Sequence, residues 1–406
     1  MPSNRSEINH PRSALSSLNE SLGWLLNALL VIVAVSVGAL IGEGMVRWIA
    51  PQDLSGTWRV DLDDGLRVNR SGGTARHQLG ERVIQYRFFP PNLRDQYDSK
   101  AKFRVLVLGD SFTFGWLVES QDSFVGHWRR RADEQFGPGC FVFLNPSAGG
   151  WGTADQLAYA ERFLGELHPQ ILVSVLNRYD IDRALRTRLY DLSGNAPTRR
   201  LSQSPSALKK LANSVPGYQW LLENSHLAQL VRRAGVSQTS VSRESLSVTG
   251  DYEPRVGNAQ DLATGARIGQ MLYRRLLEVG AAHSARVVVL TTGWPSAADA
   301  TQGFLETAES WFAGSGTLFF DHQAEIESAL GGSLASYVIR GDTHPNEEGH
   351  RFIADVTWPT LSKELERYIA EQGSDSGPCS SSDRASLDMN VVSPLTESGK
   401  SLDTQN

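Results

Sequence analysis

The stretch FRVLVLGDSFTFG, residues 103–115, decides how the chain is read. From Phe103 to Leu108 it is almost unbroken in apolar character, the pattern of a strand buried on both faces of a parallel sheet. Gly109-Asp110-Ser111 then turns the chain sharply into an aromatic-rich segment. Open α/β sheets bind their ligands at the carboxyl ends of such strands, which makes Ser111 a candidate nucleophile. A serine hydroxyl is a weak nucleophile by itself. It needs a neighbouring base and donors for the oxyanion that its attack creates.

Working outward, the pattern repeats. Cys140–Leu144 reads as a second buried strand that ends in the glycine-dense loop NPSAGGWGT, residues 145–153. Ile171–Leu176 is a third and runs straight into LNRYDIDR, residues 176–183; Val287–Leu290 is a fourth, and Leu318–Phe320 a short fifth. Helical spacing between them predicts helices over 121–136, 154–166 and 263–282, with a long final helix from Asn346 to about Gln372. Strands alternating with helices imply a parallel sheet covered on both faces.

The flanks differ in character. Residues 1–20 are polar. Ser21–Gly42 carries no charge, and 22 such residues at ~1.5 Å each match the ~30 Å hydrocarbon core, so 21–42 is expected to be a transmembrane helix. A cleavable signal peptide fits less well, because the apolar run is long and the preceding segment only weakly basic. Arg5 and Arg12 on one flank balance Arg47 and Arg59 on the other, so charge leaves the orientation open. Residues 43–100 read as a polar linker into a domain over 101–372, with a short strand near 82–89. Residues 183–260 are polar and Ser-rich, and read as an inserted cap-like region with a helix over 221–233. Residues 373–406 have few large apolar residues and read as a disordered tail.

Composition excludes several classes. With a net charge of -6 and no basic block, nucleic-acid binding is not expected. Cys and His residues show no metal-ligand spacing, and no cofactor is implied. Of the 2 cysteines, Cys140 opens an apolar run and Cys379 lies in the Ser-rich tail, so no bridge between them is expected.

The candidate base lies far downstream, in Asp342-Thr343-His344-Pro345-Asn346. Asn346 is suited to cap the final helix, which places His344 just before a helix N-terminus, where imidazolium is disfavoured and a neutral base favoured. Asp342 is placed to orient the ring. Gly150, in the loop after the second strand, and Asn177, at the end of the third, are candidate oxyanion donors beside the Ser111 N–H. Ser111, Gly150 and Asn177 each follow a different strand and so arrive at one sheet edge.

With these residues in view, the chain resembles the SGNH (GDSL-type) hydrolase family. GDSFTFG matches its first block, with Ser111 as nucleophile; NPSAGGWGT its second, with Gly150 as oxyanion glycine; and DTHPNEEGH its last, with His344 as base and Asp342 as its partner. The third block departs: the family shows Gly-x-Asn-Asp, whereas this chain has LNRYDIDR, with Asn177 its one asparagine. The resemblance implies a flavodoxin-like, three-layer α/β/α sandwich around a five-stranded parallel sheet. It also implies an esterase acting on O-acyl esters, O-acetyl groups on a carbohydrate foremost. The anchor and linker resemble membrane-anchored bacterial members, which implies a catalytic domain outside the cytoplasm. An O-acyltransferase of extracellular polysaccharide using the same residues, or a non-catalytic glycan-binding protein, are the alternatives.

Overall fold

Strand β1, Phe103–Leu108, pairs in parallel with β2, Phe141–Leu144, on one side and with β3, Ile171–Leu176, on the other. Next to β3 lies β4, Arg286–Thr291, and beyond it β5, Leu318–Phe320, again parallel. The spatial order is therefore 2-1-3-4-5, the doubly wound arrangement whose switch point falls between β1 and β3. This computed structural model describes residues 12–56, 58–97, 100–177, 179–200, 214–237, 259–292, 294, 308–312, 317–330, 334–373 and 379. They fall into two compact units, one of Met1–Thr57, Arg76–Val83 and Leu211–Arg243, the other of Trp58–Ala75, Ile84–Lys210 and Glu244–Asn406.

The first helix, α1 (Arg12–Ile49), belongs to the smaller unit. The larger unit contains α2 (Ser111–Phe114), α3 (Phe124–Phe136), α4 (Thr153–Leu167), α5 (Asp180–Thr187) and, late in the chain, α9 (Gln323–Leu330). Alternation along the strands divides its core in two. Leu106, Leu108, Leu172 and Val289 face α4 and a later helix, α8 (Ala259–Ala282); Val105, Val107, Val173 and Val288 face α3 and the last helix, α10 (Glu347–Glu371). Burial on both faces is why the strands read as continuous apolar runs rather than alternating ones. The α/β/α layering and the parallel sheet are as the sequence predicts.

Three expectations need correction. The polar linker expected over 43–100 carries more than the one short strand expected near 82–89: besides Arg82–Phe88, strands form at Leu54–Ser55, Arg59–Asp61, Arg67–Asn69 and Gly73–Leu79, and Leu66, Val68, Tyr86 and Leu93 are fully buried. Several of these strands are two or three residues long, too short to leave a period in the sequence. Cys140 and Cys379 form a disulfide, with Cα atoms 5.0 Å apart. α10 ends close to the start of β1, where Tyr368 packs on Phe103 at 5.3 Å between ring centroids, and Phe103 pairs with Phe141 next to Cys140, so the chain returns to Cys140 soon after the helix. Finally, the single helix expected over 221–233 is two: α6 (Tyr218–Asn224) and α7 (His226–Ser237), both in the smaller unit. The rest of the tail over 373–406, beyond Gly373 and Cys379, lies outside the described residues, as do 201–213 and 238–258 of the inserted region.

In the smaller unit, α1 is longer than the predicted span. Its segment Leu22–Ile49 is long and apolar enough to cross a membrane, and none of the most apolar part is buried by protein.

Candidate active site

The turn after β1 depends on Gly109. A Cβ there would stand 2.1 Å from Thr113 Oγ1, so only glycine lets the chain fold back so tightly. Asp110 caps α2 by accepting from the Phe112 N–H at 2.9 Å, which sets Ser111 at the first helical position. At the other end of the domain, Asn346 caps α10, its Oδ1 accepting from the Gly349 N–H at 2.9 Å. The same side chain donates to the carbonyls of Ser336 and Val338, and Ile339 N–H donates to the His344 carbonyl at 2.9 Å. The Asp-Thr-His turn is therefore held on both sides.

These two turns bring three predicted residues together. His344 Nε2 is 2.7 Å from Ser111 Oγ, and His344 Nδ1 is 2.5 Å from Asp342 Oδ1. The same carboxylate oxygen accepts from the His344 backbone N–H at 2.8 Å. Burial pushes the Asp342 carboxyl up, but hydrogen bonds from the His344 ring and from the His344 and Thr343 backbone outweigh it and hold it below the usual carboxylate range. An ionised carboxylate only accepts, so Nδ1 carries the proton and Nε2 is left to accept from the Ser111 hydroxyl. Phe112 and Trp116 flank the imidazole at 5.0 and 5.7 Å between ring centroids, and Ser111 and His344 are both buried.

Gly150 and Asn177 share no hydrogen bond with these three among the described residues. Gly150 sits at φ 81° in a loop fastened on several sides. Arg59 donates to the Gly149 carbonyl at 3.0 Å, Asn69 to those of Pro146 and Ser147, and Ser147 Oγ to that of Val107. Asn145 Nδ2 donates to the Thr113 carbonyl at 2.8 Å, which joins this loop to the helix that carries Ser111. Asn177 is buried, but its Oδ1 accepts from the Tyr179 N–H at 3.3 Å, so half of its amide shapes the turn into α5.

Sequence reasoning missed Arg183. Its Nη1 donates to Asp110 Oδ2 at 2.7 Å and to the Trp151 carbonyl at 3.1 Å, and lies 3.5 Å from Asp180 Oδ1. One guanidinium thus joins the residue before Ser111, the residue after Gly150 and the exit of β3. Asp180 is fully buried; burial, and then the nearby charge of Asp110, push its carboxyl well up in spite of Arg183. Asp155 accepts from the Gly152 N–H at 3.0 Å to start α4, and burial pushes it up to about 6. The available signal was the run of charges directly after an apolar strand. Asp110 and Asp180 are buried at that point, and buried charges need partners.

The chain Ser111–His344–Asp342 can move the serine proton to imidazole and stabilise the resulting imidazolium. No group of three or more His, Cys, Asp or Glu residues among those described is arranged to hold a metal.

No family model and no curated protein matches the sequence. Among solved structures the chain is similar to TesA, with 16% identity, a TM-score of 0.35, and 64% of this chain and 98% of that one covered. It is also similar to acetyl xylan esterase AlAXEase, at 10% identity and TM-score 0.36, covering 64% and 100%. A third is a catalytic mutant of Axe2, an acetylxylan esterase from Geobacillus stearothermophilus, at 12% and 0.36, covering 63% and 92%. Likeness at this level carries no argument about this chain, whose site is read from its own geometry.

Proposed function

We propose that the protein is a serine esterase that hydrolyses O-acyl esters through a covalent acyl-enzyme. The observation that carries this reading is the continuous hydrogen-bonded chain from Ser111 Oγ through both ring nitrogens of His344 to Asp342. It stands at the carboxyl end of β1, beside the switch point of the sheet, where such folds bind ligands. Ser111 attacks the ester carbonyl as its proton passes to His344 Nε2. The tetrahedral oxyanion accepts hydrogen bonds from the Ser111 and Gly150 N–H groups and from Asn177 Nδ2. His344 then returns the proton to the departing alcohol. Water, deprotonated by the same nitrogen, releases the acid and restores the serine.

The resemblance of GDSFTFG and DTHPNEEGH to SGNH hydrolases supports a short acyl group, acetyl foremost, on a carbohydrate. α1 anchors the protein in a membrane. The Cys140–Cys379 disulfide supports a domain in an oxidising compartment, outside the cytoplasm.

The test is turnover of a short-chain aryl ester by the full chain and by Ser111→Ala and His344→Ala. Each substitution is expected to reduce kcat by several orders of magnitude while leaving the fold intact. Turnover that survives both substitutions would overturn the reading. Faster consumption of the ester with an added sugar alcohol, giving acylated sugar, would instead identify an acyltransferase.

A further inference from the structure

Helix α7 carries Leu227, Leu230, Val231 and Ala234 at the i, i+3, i+4, i+7 spacing of one apolar stripe. The opposite side holds Gln229, which is buried. The stripe begins against α1: a Cβ added to Gly42 would meet Leu227 Cδ2 at 3.2 Å. It then continues into the open, with Leu230 38% and Val231 63% exposed. Single exposed apolar residues need no explanation, but a helical stripe that starts on a candidate membrane span does.

The join between the two helices is specific. Glu43, the first charged residue after the apolar run, accepts from the His226 N–H at 3.0 Å, the Leu227 N–H at 2.9 Å and Ser225 Oγ at 2.8 Å. One carboxylate at the end of the span therefore satisfies the N-terminus of α7. Arg47 donates to the Asn224 carbonyl at 3.4 Å, which ties in the end of α6. Beside this junction, Trp48 on α1 and Trp220 on α6 are 86% and 66% exposed.

We propose that α6 and α7 form a lipid-binding platform, with the Leu227–Ala234 stripe and Trp220 lying in the headgroup–acyl boundary of the bilayer that α1 spans. This rests on the membrane-spanning reading of α1. Gly42 closes the charge-free run and Glu43 is the first charge after it, so the level at which α7 docks is where the hydrocarbon ends. An apolar helix face held there enters the interface by ~5–10 Å, and tryptophan is favoured at that depth. The occupant is lipid because the stripe continues a surface that already faces acyl chains.

The experiment uses the full chain in vesicles of phosphatidylcholine and phosphatidylglycerol. A nitroxide is attached at Val231→Cys, or separately at Trp220→Cys, the native cysteines being joined to each other. Collision with oxygen, which partitions into lipid, is compared with collision with a water-soluble nickel chelate. Val31→Cys in the middle of α1 and Lys363→Cys on α10 serve as the deep and aqueous references. Both test sites are expected to show an oxygen-to-nickel ratio several-fold above Lys363 and below Val31. A ratio equal to that of Lys363 places the stripe in water and overturns the proposal. Exclusion of both reagents places it against protein, with the same consequence. An aqueous signal at Val31 itself would instead show that the spanning reading has failed.

Discussion

His344 Nε2 lies 2.7 Å from Ser111 Oγ although 233 residues separate the two in the chain. The contact joins the start of α2, next to the first strand of the sheet, to the turn that opens α10. Neither partner has freedom to search for the other: Ser111 is fixed by the Gly109 turn and the Asp110 cap, His344 by Asn346 and Asp342. This preorganisation is what a general base requires, since a hydrogen bond already formed needs no rearrangement at the moment of attack.

Asp342→Asn tests the orienting carboxylate. An amide in that place can donate to Nδ1, which moves the ring proton to Nε2 and leaves no acceptor for the serine. Ester turnover is expected to fall by about 10⁴ in kcat with KM little changed. Stopped-flow or steady-state kinetics of the purified variant provide the check.

Arg183→Met removes the guanidinium that joins Asp110 to the Trp151 carbonyl. The Ser111 turn and the Gly150 loop then lose a common support, and a displacement near 1 Å costs about 10² in rate. Arg183→Lys keeps a cation beside Asp110 but on a shorter side chain, and is expected to recover only part of kcat. The split between kcat and KM, measured on folded enzyme, separates positioning from substrate binding.

Asn177→Asp keeps the oxygen that accepts from the Tyr179 N–H and removes the amide donor. If the amide supports the oxyanion as proposed, kcat falls by ~10²–10³. The new carboxyl lies beside buried Asp180, so the melting temperature falls as well, and the rate is compared on folded enzyme. A rate close to wild type would remove Asn177 from the oxyanion site and leave two backbone donors.

Asp155 makes a pH signature in stability. Its folded-state pKa is raised from 3.8 to about 6, so below 3.8 both states hold the proton. Between the two values the unfolded chain releases it first, and stability falls as pH rises. The rise from 3.8 to about 6 corresponds to about 3 kcal/mol lost by pH 7. Asp155→Asn can still accept from the Gly152 N–H and should flatten this slope. Denaturant melts of both proteins between pH 4 and 7 provide the comparison.

The sheet was legible in the sequence because each of its main strands is buried on both faces and so appears as an uninterrupted apolar run. The two turns that meet at Ser111 and His344 were also legible: Gly109 and Asn346 are local signals, one for a tight reversal and one for a cap. Of the strands over 54–88 the last, Arg82–Phe88, was legible, but the earlier ones were not, since several are too short to show a period, and Asn69 secures the Pro146–Ser147 loop through a side-chain bond that leaves no pattern. Arg183 and Asp180 were read past because charge beside a strand end resembles the start of a solvent loop. The disulfide was missed for a different reason: composition described the tail around Cys379, while pairing depends on where α10 ends.

The bond from Asn145 to the Thr113 carbonyl, with those of Ser147 and Arg183, has a consequence for how the protein loses activity. Active-site loops are commonly the first segments to open, well before the body of a domain. Here the exits of β1 and β2 are fastened to each other and to buried strand carbonyls, so opening the site means separating the central strands. Amide exchange at Phe112 and Phe114, whose N–H groups donate to Asp110, should then be as slow as in β1 itself, and heat should abolish the site and the sheet in a single step.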